Sequence, residues 1–324
     1  MYDYFAFVLA NNLDWTSPPM NGLPSVLDSY RDWSIGHLEL DPSTVNQRIG
    51  VIQRFYLWAL KQRLIGSLPF EIIQVRISRE PGFPSCADSA SIQVESSSAK
   101  AKARARQIKI LTKEQVAVCR DALFNLNHRL MFELMVRTGL RQIECRTFPE
   151  KYVFDPSRHI DLQPGEKIRL YLDSKDMALK GGKSRGIDMP YDLMEDLWAY
   201  SVRHRQKRQR NNKKHQSFPT LFLTEGGVPY EKKSVTEVFA ALSRRVEIRV
   251  TAHMLRHTYA TYLLFSLRKS DTFEGEPLIY VADRLGHANL VTTRGYLHLV
   301  NSLEGQLILA HEDELDEIFN PEPT

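Results

Sequence analysis

Residues 251–267 read TAHMLRHTYATYLLFSL. Apolar side chains recur three or four positions apart along this stretch, which predicts a helix over 252–267 with a well-buried face. His253 and Arg256 stand three residues apart, so they project from one helical face toward a common target. His257 is expected on a different face from Arg256, engaged in packing or a surface hydrogen bond. The i, i+4 pair His253 and His257 imitates a zinc motif. It lacks the glutamate of H-E-x-x-H, however, and the intervening Arg256 would repel a cation.

Helices are also expected over 191–210, 233–246 and 278–285, and from Thr292 onward. Upstream, LTKEQVAVCRDALF opens on Thr112 as N-cap with Gln115 at the capping-box position, and HRLMFELMVRTGL continues as an apolar helix ending at Gly139. Between Lys151 and Pro190 the runs RLYLD and GIDMP flank the turn-forming GGK and predict a small antiparallel sheet. The segment PGFPSCADSASIQVESSSAKAKARARQ, rich in Ser, Ala, Pro and cations, has no sustained hydrophobic period and reads as an inter-domain linker. Before it, Val45, Ile49, Ile52, Phe55, Tyr56 and Leu60 form a helical stripe behind a Ser or Thr cap, predicting a small all-helical domain. The fold class is therefore mainly α with a small antiparallel sheet.

Five segments stand in order after the linker: TGLRQIE with Arg141 and Glu144, LKGGKSRGI with Lys180 and Lys183, HMLRH with His253 and Arg256, LGH ending in His287, and TTRGYLHL with Tyr296. T-G-x-R or H-x-x-R alone occurs by chance, and a lone tyrosine on an apolar helix is usually a core residue. The ordered set resembles the signature of the tyrosine recombinase (phage integrase) family over roughly residues 108–300. The stretch FSLRKSDTFEGEPLIY, residues 265–280, departs from the family pattern as a longer surface loop.

A DNA phosphodiester is an anion, and its pentavalent transition state gathers further charge on the non-bridging oxygens. Arg141 and Arg256 suit that charge because guanidinium forks bond phosphate bidentately and remain charged. The resemblance implies that Tyr296 attacks phosphorus to leave a 3′-phosphotyrosine, with no cofactor and no metal, and that Lys180 is the general acid for the departing 5′ oxygen. Lys183 is expected as a phosphate or structural contact. His253 can bond a non-bridging oxygen or handle the Tyr296 proton, and His287 can donate a second hydrogen bond to the phosphate. Glu144 is expected to orient Arg141 or His253. The acidic run EDELDE near the C-terminus radiates around a helix axis and reads as a solvated face, not a two-metal nuclease site.

By the resemblance, the chain comprises a helical core-binding (DNA-binding) domain over 1–79, a basic linker over 80–107, a catalytic domain over 108–300 and a C-terminal helix and tail over 301–324. Its partner is double-stranded DNA carrying paired recombination sites, on which four protomers exchange strands through a Holliday junction. The apolar stripe Leu303, Leu307, His311, Leu315, Ile318 and Phe319 suits a C-terminal helix exchanged between protomers. Two alternatives share much of this pattern: type IB topoisomerase-like relaxation of DNA, and a non-catalytic DNA-binding protein of the same fold.

The net charge of +4 permits a polyanionic partner without requiring one. Two acid-free runs say more, one around Lys100–Lys109 and one around Arg203–Lys214. Cys86, Cys119 and Cys145 are too widely spaced for a zinc ribbon or a disulfide framework. No apolar run is long enough to span a bilayer, and MYDYFAFVLA lacks the basic start and cleavage site of a leader, so a cytoplasmic, membrane-free protein is expected.

If Lys100, Lys102, Arg104 and Arg106 contact phosphates, neutralising all four should weaken binding to every DNA sequence alike and flatten the slope of log affinity against log salt. A slope equal to that of the wild type would return the run to a solvated stretch of charge.

Overall fold

The computed structural model describes residues 1–18, 23–77, 92–102, 108–287 and 290–303. The chain divides into two compact units, Met1–Arg106 and Gln107–Thr324. Among the described residues no helix is long and apolar enough to cross a membrane. The expected C-terminal stripe from Leu307 onward lies outside the described residues, as do Cys86, Arg104 and Arg106.

The first unit holds α1 (Tyr2–Ala10), α2 (Val26–Gly36) and α3 (Pro42–Lys61). The stripe on α3 is its core: Val45, Ile49, Ile52 and Tyr56 are buried against Tyr4, Leu27 and Tyr30, with Phe55 and Leu60 packed alongside. The hydroxyls of Tyr4 and Tyr56 meet at 2.7 Å, so the buried phenols satisfy one another. Asp41, not Ser43 or Thr44, caps α3, because Pro42 opens the helix with its pre-set φ and the Asp41 carboxylate accepts from the Ser43 N–H at 2.9 Å.

This unit is not all-helical. Strands β1 (Ile72–Ile77) and β2 (Ile92–Ser97) pair antiparallel, Ile72 opposite Ser97 and Ile77 opposite Ile92. The β-branched residues Ile72, Ile73, Val75, Ile77, Ile92 and Val94 supply the strand propensity. The Ser- and Ala-rich composition around them hides the pattern. Part of the expected linker also packs on the helices: Ala99 is buried, and Asn46 exchanges two 2.9 Å hydrogen bonds with the Ala101 backbone. Lys100 and Lys102 are exposed.

The second unit runs α4 (Lys113–Asp121), α5 (Leu126–Thr138), α6 (Gln142–Arg146), the antiparallel hairpin β3 (Lys167–Leu172) and β4 (Arg185–Pro190), and α7 (Tyr191–Tyr200). A π turn carries α7 into α8 (Gln206–Arg210), followed by α9 (Lys232–Val246), α10 (Ala252–Lys269), α11 (Pro277–Leu285) and α12 (Leu290–Leu303). The Thr112–Gln115 capping box forms as expected. Helices α5 and α10 are buried on most sides, and α10 packs on α5, α11 and α12, so these two make the centre of the unit. The long loop expected at 265–280 is mostly helix: α10 continues to Lys269 and α11 begins at Pro277, leaving only residues 270–276 between them. In the second basic run Arg205 is buried, paired with Glu150 at 2.6 Å and bonded to the Thr220 carbonyl, while Arg203, Lys207, Arg210, Lys213 and Lys214 are exposed.

Gly139 stops α5 in the left-handed region at φ 67°, and a Cβ there would clash with Cδ1 of Tyr259. Gly139→Ala therefore adds a clash to backbone strain and should cost about 2–4 kcal/mol in denaturant unfolding. The control Gly165→Ala, at φ 85° with open space around it, should cost only about 1–2 kcal/mol. Equal losses at the two sites would remove the packing contribution at Gly139.

Candidate active site

A cavity of about 830 Å³ opens between α6, the β3–β4 connection, α9 and the start of α10. Arg141, Lys180, His253 and Arg256 line it together, across from Thr236 and Phe239 of α9. Four of the six expected catalytic side chains thus meet in one place. His287 and Tyr296 lie behind them, where α12 packs on α10 and α11.

Each side chain is positioned by a local feature. Arg141 is the N-cap of α6, and Glu144 one turn on accepts its backbone N–H at 2.8 Å and its Nη1 at 2.9 Å. Arg256 is 2% exposed and donates to the carbonyls of Gly139 at 2.7 Å and Leu285 at 2.6 Å, the ends of α5 and α11. Helix C-termini present unpaired carbonyls and partial negative charge, which suits a buried guanidinium. Lys180 sits exposed on the turn between β3 and β4, followed by Gly181 and Gly182 with φ of 73° and 65°. Lys183 is exposed and is not among the side chains lining the cavity.

Arg185, which the motif reading left out, ties these parts together. Its side chain is buried and grips Glu144 with two bonds of 3.0 and 2.6 Å, while its Nε donates to the Arg284 carbonyl at 2.9 Å. Three successive carbonyls at the end of α11, those of Arg284, Leu285 and Gly286, accept from Arg185, Arg256 and Arg141 respectively. Gly286 leaves room for this: a Cβ there would come within 2.9 Å of the Arg185 side chain. Glu144 thus bonds both Arg141 and Arg185, the latter at the start of the β4 strand that follows the Lys180 turn.

The electrostatics follow from crowding cations in a buried place. Burial would raise Glu144, but the hydrogen bonds and charge of Arg185, with Arg141 behind them, outweigh it and hold the carboxyl at about 2. Burial, with Arg141 next, lowers Arg256 to about 9, which leaves it charged at neutral pH. His253 is lowered by burial and then by Arg256, Arg141 and Lys180. His287 is pulled down to about 3 by burial and the same arginines, and its Nδ1 meets the buried Thr293 hydroxyl at 2.8 Å.

Tyr296 is 1% exposed. Burial pushes its hydroxyl up while the charges of Arg256 and Arg141 pull it down. The His287 ring stacks over it at 6.3 Å, and its hydroxyl lies 2.8 Å from Nδ1 of His257. The expectation of packing or a surface hydrogen bond for His257 is thus corrected to a part-buried contact with Tyr296. It shares a face with His253, four residues earlier, their ring centroids 4.1 Å apart. Burial, then His253 and Arg256, lowers His257 to about 4, so it is neutral at neutral pH.

The phage integrase family model matches residues 109–302, well over half the chain. The chain belongs to the phage integrase family. As a tyrosine recombinase it is an enzyme of site-specific recombination. It is similar to the tyrosine recombinase XerC of Bacillus subtilis strain 168, 23% identical over 274 residues that cover 84% of this chain and 75% of that protein. It is also similar to transposase A from transposon Tn554 of Staphylococcus aureus, 28% identical over 196 residues covering 60% of this chain and 49% of that one. In fold it resembles the XerH site-specific recombinase in its post-cleavage complex with palindromic difH substrate, with a TM-score of 0.57, 19% identity, and coverage of 89% of this chain and 73% of that one. The Tn1549 transposon integrase in complex with transposon right end DNA also shares the fold, with a TM-score of 0.57, 16% identity, and coverage of 94% and 91%.

Glu144 is depressed by its partners, so its contribution to stability is fully present above its ordinary value near 4.5 and is lost as pH falls toward about 2. Glu144→Gln should cost about 3–5 kcal/mol near neutral pH, because it strands Arg185 and Arg141 without their counter-charge. That cost should shrink as pH is lowered from about 6 toward 3 in urea unfolding. A cost that does not change with pH would mean the carboxylate charge is not what holds the arginines.

Proposed function

We propose that Tyr296 attacks a phosphodiester of double-stranded DNA held by Arg141 and Arg256, leaving a 3′-phosphotyrosine and a free 5′ hydroxyl. The observation that carries this is the convergence of Arg141, Lys180, His253 and Arg256 on one cavity, with Tyr296 in the field of both arginines. The guanidiniums neutralise the charge that grows on the non-bridging oxygens. Lys180, on its exposed turn, protonates the departing 5′ oxygen. His253 faces the same cavity and bonds the phosphate, and His287 buttresses the Tyr296 ring. Glu144 positions Arg141. Because the ester conserves the energy of the broken bond, religation needs no nucleotide cofactor, and paired guanidiniums take the place of a metal ion.

On this proposal the first unit also binds the DNA. Lys100, Lys102, Arg104 and Arg106 follow the phosphate backbone, and Lys183 adds a further phosphate contact. Strand exchange between paired sites passes through a Holliday junction within a tetramer, with the segment after Tyr296 donated between protomers. The XerC, XerH and Tn1549 relatives support recombination over simple relaxation of DNA.

Tyr296→Phe should bind the site like the wild type and form no covalent product on a nicked suicide duplex, read on a denaturing gel. The wild type should still form that product in EDTA, and Arg141→Lys or Arg256→Lys should slow it by about 100-fold or more, since a point charge cannot reproduce the fork. A covalent band in the phenylalanine variant would move the nucleophile elsewhere. Loss on chelation, restored by magnesium or manganese, would overturn the arginine mechanism.

A further inference from the structure

We infer that His257 is a catalytic residue: its Nδ1 accepts the proton of the Tyr296 hydroxyl as that oxygen attacks phosphorus, and returns it on religation. The inference rests on the cleavage reaction proposed above and assigns to His257 the proton step that the sequence left open to His253. Among the described residues the contact of 2.8 Å to the Tyr296 hydroxyl comes from His257, whereas His253 lines the open cavity with Lys180 and the two arginines. The two histidines of HMLRH therefore divide the work by position, one facing the phosphate and the other the nucleophile.

The surroundings suit an acceptor. A base must be unprotonated before it acts, and a neutral imidazole with its hydrogen on Nε2 offers a free lone pair at Nδ1. Among the described residues the charged and titratable groups that face it are His253 and Arg256 on α10, Tyr296 on α12 and His287 after α11. In the free protein burial, and after it His253 and Arg256, keep His257 neutral. A phosphate anion seated on Arg141 and Arg256 offsets the Arg256 part of that effect, and the ring becomes more basic as the substrate arrives.

The step balances. The bond from the Tyr296 oxygen to phosphorus forms and the bond from phosphorus to the 5′ oxygen breaks. The tyrosine proton moves to Nδ1 of His257, and the 5′ oxygen takes a proton from Lys180. Religation runs each transfer backward, so neither protein nor DNA is changed over the cycle.

The test is single-turnover formation of covalent product by wild type, His257→Asn and Lys180→Ala. Each is run on a nicked duplex with an all-oxygen scissile phosphate and on one whose 5′-bridging oxygen is sulfur. A thiolate leaves without a proton, so Lys180→Ala should recover on the sulfur substrate. His257→Asn should bind the duplex like the wild type yet stay about 100-fold slow on both. Placing difluorotyrosine, a phenol that ionises more readily, at position 296 of that variant should restore about tenfold or more. If His257→Asn cleaves the oxygen substrate within about twofold of wild type, His257 is not the acceptor. Recovery on sulfur alone would place it on the leaving group, and failure of difluorotyrosine to help would reduce it to a packing contact. Should the asparagine variant not bind DNA, His257→Gln takes its place in the same comparison. A wild type that forms no covalent product on either substrate overturns the parent reaction, and the inference with it.

Discussion

One carboxylate with no solvent exposure, Glu144, faces the guanidiniums of Arg141 and Arg185 directly, and its charge is also felt by Arg256. Three cations against one anion leave an excess of positive charge in a largely buried place, and the fold is arranged to tolerate it. Part of the relief comes from backbone dipoles. The last carbonyls of α11 accept from all three arginines, and the carbonyl after α5 adds a second acceptor for Arg256. The remaining deficit is the charge that the proposed substrate phosphate would supply. Burial first and the same imbalance second hold the nearby histidines neutral, while at Tyr296 burial raises the hydroxyl and the charges of Arg256 and Arg141 offset only part of that rise.

That arrangement places unusual demands on two glycines. Gly139 has to end α5 so that its carbonyl meets Arg256 while Tyr259 packs where a side chain would go, and Gly286 has to end α11 while Arg185 passes beside it. The arginines, the helix ends and the hairpin bearing Lys180 are thus a single mechanical unit. Changes at Arg185 or Gly286, neither of which lines the cavity, are expected to disturb the geometry of residues that do.

Much of this was legible in the sequence because its signals are local. The 3.6-residue period located α4, α5, α7 and α9 to α12, the capping box at Thr112 located the start of α4, and the GGK turn located β3 and β4. The ordered motifs named Arg141, Lys180, His253 and Arg256, which do share a cavity. Non-local features were hidden. Strands β1 and β2 pair across a long Ser- and Pro-rich insertion, and Arg185 meets its carboxylate partner 41 positions away. His257 is a different case, since the i, i+4 rule that linked it to His253 for a zinc motif also put it on the face that Tyr296 meets.

In the proposed reaction one buried oxygen, that of Tyr296, becomes bonded to DNA beneath two arginines. Proteolysis and mass spectrometry of the complex trapped on a nicked duplex locate that bond directly. The expected result is a nucleotide joined through its 3′ phosphate to Tyr296 in the peptide that begins at Gly295. An adduct on any other residue, or one joined through a 5′ phosphate, would contradict it.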